Sequence, residues 1–304
     1  MPYLSSSTIP PGRYIIAVSG GVDSMVLLDL LRKQHHLQLV VAHFDHGIRD
    51  DSAADAQFVQ HEAEALGLEY ITGRAELGLD TGEAVARSAR YDFLRRAKAQ
   101  YNAKAIITAH HADDVLETTI INIIRGTGWR GLASLRSSKE ILRPLLSVSK
   151  ADIVAYAQTH QLGWREDSTN KDLRYLRNTV RLRLLPRIAA RDSAAIVTLR
   201  SLSHSQQQLR TEIEQSIGDL LAIVAETKKD ALHIRRADLV QLPTTVCLEI
   251  LRAAAIHVSD NSLERPMLRR MRVFACCGRP GKQMEITKKL TMRVLGDSII
   301  VYNR

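Results

Sequence analysis

The chain has 304 residues, enough for two domains, and its 45% hydrophobic and 25% charged composition is that of an ordinary globular protein. No apolar run approaches the roughly 20 residues needed to cross a bilayer, and residues 1–11 lack the basic start and apolar stretch of a signal peptide, so a membrane is not an expected partner. Three cysteines, Cys247, Cys276 and Cys277, with no Cys-x-x-Cys, offer neither a disulfide framework nor a zinc or iron–sulfur site, and point to reduced thiols in a cytoplasmic setting. The net charge of +9 is uneven: −3 over residues 1–130 and +12 over residues 131–304. This is the pattern of a catalytic unit joined to a polyanion-binding surface, with nucleic acid as the obvious polyanion.

In chain order, the first half alternates strand and helix. Strands are predicted at Tyr14–Val18, Leu39–His43, Glu69–Thr72 and Ala105–Ala109. Helices are predicted at Asp23–Gln34, Ser52–Leu66, Glu83–Gln100 and Ala112–Arg125. The rhythm implies an α/β fold, doubly wound around a mostly parallel sheet, with ligands at the carboxyl ends of the strands. Past Arg125 come a glycine-rich loop, a strand at Ile141–Arg143 and a helix at Lys150–His160. An amphipathic helix from Leu173 to about Arg191 follows, then a helical stretch, Ala194–Ala225. The tail, from about residue 230, reads as a small basic α+β unit, with helices at Thr245–Val258 and Leu263–Phe274. Its strands fall at Met284–Thr287, Thr291–Val294 and Ser298–Tyr302. The expected domains are residues 1–190, catalytic; 191–229, a helical linker; and 230–304, an RNA-binding unit.

The most informative segment follows the first strand: Ser19-Gly20-Gly21-Val22-Asp23-Ser24. Two glycines let the backbone approach an anion. The amides and positive end of the next helix receive it, and Ser19 and Ser24 add hydroxyls. Asp23 beside a phosphate repels it unless a metal lies between them, so the loop is suited to a phosphate chain carrying Mg2+. The pattern resembles the pyrophosphate loop of the ATP pyrophosphatase superfamily and is not a Walker loop.

A second cluster, His110-His111-Ala112-Asp113-Asp114 with Glu117-Thr118, opens the fourth helix, and His110, Asp114 and Glu117 share one side of its first turns. Recognition of a cation, either Mg2+ or an amine, fits these groups better than zinc; capping by Asp113 or Asp114 is the purely structural alternative. Arg87 and Arg90 lie three apart with Tyr91 beside them, placed to reach a phosphate or stack on an unstacked base. Residues 171–191 carry Lys171, Arg174, Arg177, Arg181, Arg183, Arg187 and Arg191 against Asp172 alone, a face suited to an RNA backbone. Lys228-Lys229, Arg235-Arg236 and Arg269-Arg270-Arg272 extend the basic surface.

Further motifs stand in the same order: His43-Phe44-Asp45-His46-Gly47-Ile48-Arg49, Arg125-Gly126-Thr127-Gly128, Arg143-Pro144-Leu145-Leu146, and Glu166-Asp167-Ser168-Thr169-Asn170 with Arg177-Asn178 and Arg181. Together they resemble the tRNA(Ile)-lysidine synthase family, closely over residues 12–190 and loosely over the tail. The resemblance implies a ligase that joins L-lysine to C2 of the wobble cytidine in the CAU anticodon of tRNA(Ile), through an adenylated base, with release of pyrophosphate and AMP. It implies ATP and Mg2+ as cofactors. Ser19, Gly20, Gly21, Val22 and Ser24 would hold the pyrophosphate and Asp23 the metal, with adenine near Ala17 and Phe44. Asp114 and Glu117 would meet the cationic or α-amino end of lysine, and His110 would contact ATP or assist a proton transfer. Arg87, Arg90, Arg174, Arg177 and Arg181 would contact RNA. Many relatives carry a further C-terminal domain, and a chain ending at residue 304 would match the compact members. A homodimer is left open. The alternatives are a 2-thiolation enzyme on the same loop and a non-catalytic nucleotide-sensing RNA adaptor.

Overall fold

A computed structural model describes residues 9–45, 47, 52–75, 83–133, 135–166, 172–229, 231–259 and 263–303. His46, Ile48, Arg49, Asp167–Asn170 and Lys171, all flagged by the sequence, lie outside the described residues, as does the side chain of Glu83. The chain divides into two units at Gln207/Gln208, inside the stretch expected to link two domains.

The first unit holds a five-stranded parallel sheet. Its strands are β1 (Gly12–Ala17), β2 (Leu37–Asp45), β3 (Glu69–Arg74), β4 (Ala105–Ile107) and β5 (Ile141–Leu142), in the order β3-β2-β1-β4-β5. Successive side chains point to opposite faces. Tyr14, Ile16, Leu39, Val41 and Ile107 therefore join one apolar cluster, while Ile15, Val40, Ala42 and Ile106 join another. Both faces are buried, so each strand reads as an unbroken apolar run. The first cluster receives residues from α1 (Val22–Arg32), α2 (Ser52–Ala65) and α6 (Lys150–Thr159), and the second from α3 (Glu83–Gln100).

Helices α4 (Ala112–Ile124) and α5 (Trp129–Leu132) follow β4 on either side of the glycine-rich loop. The amphipathic segment is not one helix. It breaks into α7 (Leu176–Thr179), a π-helical turn (Val180–Leu184) and α8 (Leu185–Arg191). A π turn shifts the helical phase of the residues after it and re-aims their side chains, which apolar periodicity does not reveal. Val180 is buried against Leu116, Ile120 and Ile121 of α4, whereas Leu176 is largely exposed. Helix α9 (Ser193–Val224) then crosses the unit boundary.

The second unit is an antiparallel sheet ordered β6-β7-β10-β9-β8. Its strands are β6 (Ala225–Lys228), β7 (Ala231–Arg235), β8 (Gln283–Glu285), β9 (Leu290–Val294) and β10 (Ser298–Asn303). With α10 (Arg236–Gln241), α11 (Thr244–Ser259) and α12 (Arg265–Cys277) it encloses one apolar core. β6 occupies the end of the predicted helical linker, because Ala225–Lys228 pairs with β7. Arg236, expected on the basic surface, instead donates to the carbonyls of Ala275, Cys276 and Gly278 and so caps the end of α12.

Candidate active site

The order β2-β1-β4 places a switch point between β1 and β4. The chain leaves β1 toward β2 and β3, then returns to the other side of β1, so the segments after β1 and β4 open side by side. The glycine loop and the His-His-Ala-Asp-Asp cluster therefore meet although about 90 residues separate them.

The loop is internally braced. Ser24 Oγ donates to the Gly21 carbonyl at 2.8 Å and accepts from Ser19 N–H at 3.2 Å, with Ser19 Oγ 3.3 Å away. Gly20 has φ +88°, a conformation that side chains oppose, and an added Cβ would press Val59 at 3.3 Å. Its carbonyl accepts from Arg165 N–H at 3.0 Å. Gly21 caps α1 without a side-chain bond, leaving the first amides of the helix open to an anion. His43, buried on β2, fixes the end of β1 through the Val18 carbonyl at 2.9 Å, and burial pushes its imidazole down.

Helices α1 and α6 meet in register. Tyr156 donates to the buried Asp29 at 2.8 Å, and the same offset one and a half turns earlier brings Lys150 onto Asp23, with Nζ at 2.6 and 2.8 Å from the two carboxylate oxygens. His111 Nε2 is 3.8 Å from Asp23 and 3.5 Å from Asp114. The cap of α4 is His111 itself: Nδ1 accepts from Asp113 N–H at 3.3 Å, and the Asp114 carboxylate accepts from His111 N–H at 3.0 Å. Burial lowers the His111 imidazole, but Asp113, Asp114 and Asp23 outweigh it and hold it above its ordinary value.

Asp113 accepts from Lys150 N–H at 2.7 Å and from Arg200 of α9 at 2.7 Å. His111, the Lys150 amide and Arg200 hold its carboxyl well below the usual range. Glu117, 1% exposed, is gripped by Arg181 at 2.5 and 3.0 Å, with Arg177 Nε at 3.6 Å. Burial pushes the Glu117 carboxyl up against the pull of these cations. Arg181 belongs to the π turn and also lies 3.5 Å from Asp114. Arg177 donates to Thr118 Oγ1 at 2.9 Å.

Beyond Arg177 lies a second cluster. His110 meets Thr108 Oγ1 at 2.8 Å, and burial together with Arg143, Arg90, Arg87 and Arg177 pushes its imidazole down to about 2. His110 is therefore neutral, and too weak a base to carry a proton near neutral pH. Arg87 and Arg90 lie 4.9 and 5.3 Å over the Tyr91 ring. The Nε atoms of Arg90 and Arg143 are buried with no hydrogen-bond acceptor. Guanidinium donors buried without an acceptor are costly, and an anion from outside relieves that cost.

The structure thus gathers Ser19, Asp23, Ser24, His110, Asp114, Glu117, Arg87, Arg90, Arg177 and Arg181 around one switch point. Ala17 and Phe44 join the apolar face beside it, where Phe44 packs on Phe93 at 5.5 Å. Arg174 does not join them; its exposed guanidinium pairs with Asp172 at 2.7 Å. Sequence reasoning assigns no role at the site to His111, Arg143, Lys150 or Arg200. Only His111 carries a local signal, its place three residues before Asp114; Lys150 and Arg200 arrive from distant helices.

A model of the PP-loop domain family matches residues 5–188. Among curated proteins, the chain is 36% identical over 218 residues to the tRNA(Ile)-lysidine synthase of Solibacter usitatus, covering 71% of this chain and 49% of that one. It is 40% identical over 192 residues to that of Thermus thermophilus, covering 61% and 38%. It thus spans about half or less of the length of these relatives. Among solved structures, the U34-tRNA thiolase NcsA of Methanococcus maripaludis superposes with a TM-score of 0.57 at 18% identity, over 68% of this chain and 75% of that one, a likeness of fold. With its loop seated at the switch point and more than half its length matched, the chain belongs to the PP-loop domain family.

Proposed function

We propose that this protein joins free L-lysine to the wobble cytidine of a tRNA(Ile) bearing a CAU anticodon, using ATP. The observation that carries the reading is the meeting of three unlike groups at one switch point: a phosphate-accepting loop, a carboxylate cluster and buried arginines with unsatisfied donors. The curated relatives named as tRNA(Ile)-lysidine synthases support it.

Ser19, Gly20, Gly21, Val22 and Ser24 hold the departing pyrophosphate, and adenine lies beside Ala17 and Phe44. Asp23 fits Mg2+: it is a half-exposed hard-oxygen donor already bearing a cation, the Lys150 ammonium. Among the described residues no group of three or more His, Cys, Asp or Glu could hold a metal, so phosphate oxygens would complete the shell. Bound there, Mg2+ neutralises charge on the α and β phosphates as their bond breaks. The cytidine C2 oxygen attacks the α-phosphate; the lysine amine then attacks C2 and AMP leaves. Arg87, Arg90 and Arg143 receive the nucleotide's phosphate charge, with neutral His110 as a hydrogen-bonding group. Asp114, beside Glu117, meets the cationic amine. Arg177 and Arg181 hold Glu117, and exposed Arg174 remains available to RNA. The setting is cytoplasmic, as the reduced thiols suggest.

Labelled lysine, ATP and Mg2+ are supplied with a tRNA(Ile) transcript carrying CAU. Label entering the tRNA, and lost in Asp23→Ala, is the expected result; no label with a competent transcript overturns the reading. A 2-thiolation chemistry is disfavoured because Cys247, Cys276 and Cys277 all belong to the second unit, where burial pushes the Cys247 thiol up to about 11.

A further inference from the structure

Next to Asp23 and Glu117 lies an open cavity of about 370 Å3 within the first unit. One side is apolar, formed by Leu116 of α4, Leu185 and Pro186 of α8, and Ile196 of α9. The Asp113–Arg200 pair also lines it, bonded at 2.7 Å with side chains 27% and 43% exposed. So partly exposed an ion pair contributes little to stability and opens at small cost to a competitor. Asp113 is held in place from the other side by the Lys150 amide, and its carboxyl stays ionised.

A free α-amino acid presents an ammonium and a carboxylate on one carbon, the mirror of an Asp–Arg pair. A guanidinium receives a carboxylate through two parallel hydrogen bonds, and a fixed carboxylate receives an ammonium. An apolar wall beside the pair suits a long methylene chain, whose far amine is then free to approach the carboxylates nearer the loop. Glu117 is engaged by Arg181 and Arg177, so it is poorly placed to read a second charged head.

We propose that Arg200 is a specificity-determining residue that binds the α-carboxylate of the incoming lysine, while Asp113 takes its α-ammonium. This rests on the lysine-joining reading above and adds the part of the site that distinguishes an amino acid from a simple diamine.

The test compares lysine with cadaverine, which has the same chain and amine but no α-carboxylate. Lysine and cadaverine binding to the protein are measured by calorimetry without tRNA, and transfer to the transcript is measured beside it. Wild type is expected to prefer lysine. In Arg200→Gln, the lysine Kd and KM rise roughly 10- to 100-fold with kcat nearly kept, as expected for losing a charged hydrogen-bonded partner, and the preference over cadaverine collapses. Arg200→Lys restores part of it. Equal losses for lysine and cadaverine, or an unchanged lysine Kd, overturn the assignment. Lysine binding that depends on Arg200 with no transfer to tRNA supports the assignment and sinks the proposed reaction instead.

Discussion

The two units treat buried polarity in opposite ways. Among the described residues of the first unit, Asp29, His43, Asp45, His111, Asp114 and Glu117 are buried. In the second, the one polar residue buried among those described is Thr291. Burying charge costs stability unless it is paired, and the first unit supplies partners through helices drawn from distant parts of the chain. Asp29 has a structural role, tying α1 to α6 through Tyr156 and Lys33. The others gather at the carboxyl ends of β1, β2 and β4, where a ligand is expected. The second unit instead keeps its core apolar and its charge outside, with Arg269 and Arg270 exposed on α12. The contrast separates a unit built around chemistry from one built for stability and surface charge.

The largest expected effect tests that division directly. Asp23→Ala should reduce tRNA-dependent pyrophosphate release roughly 100-fold or more while leaving the urea midpoint nearly unchanged, because Asp23 is half-exposed. A large stability loss would show that the loop carboxylate is part of the scaffold.

Next is a matched pair of core changes. Glu117→Gln leaves Arg181 facing an uncharged partner and should cost about 3 kcal/mol. Leu251→Ala, at a fully buried position of α11, should cost about 3 kcal/mol by cavity formation. Denaturant curves are expected to agree in size, whereas ATP binding should fall only in Glu117→Gln. Equal loss of ATP binding in both would mean that the units unfold as one.

A smaller effect concerns pH. The folded His110 imidazole titrates at about 2, below its ordinary 6.5. Below pH 6.5 the unfolded chain therefore takes up a proton that the folded chain refuses, so this contribution is present above 6.5 and is lost as pH falls. His43 acts in the same direction. Tm measured from pH 7 to pH 4 should fall less steeply in His110→Asn than in wild type; parallel curves would place His110 outside the arginine cluster.

The smallest effect probes the second unit. Replacing Arg269 and Arg270 by Gln should weaken tRNA binding a few-fold and reduce the slope of log affinity against log salt by about 1 for each phosphate no longer neutralised. An unchanged slope would remove α12 from the RNA surface.

Much of this is legible in the chain because it is local. The period of apolar residues marks β1 to β4 and α1 to α4 to within a few residues, since strands buried on both faces and helices packed on them leave continuous and three- to four-residue patterns. The loop is legible because only glycine tolerates the φ of Gly20 and only a carboxylate beside a phosphate demands a cation. Periodicity has no sign for a π turn, so the amphipathic segment reads as one helix with Arg181 on its RNA face; the turn directs Arg181 onto Glu117 instead. What tertiary structure alone decided is the set of partners: Lys150 on Asp23, Arg200 on Asp113, Arg143 beside His110. These contacts depend on the strand order and on the register of helices far apart in the chain, and electrostatic pairing at such range leaves no trace in local residue spacing.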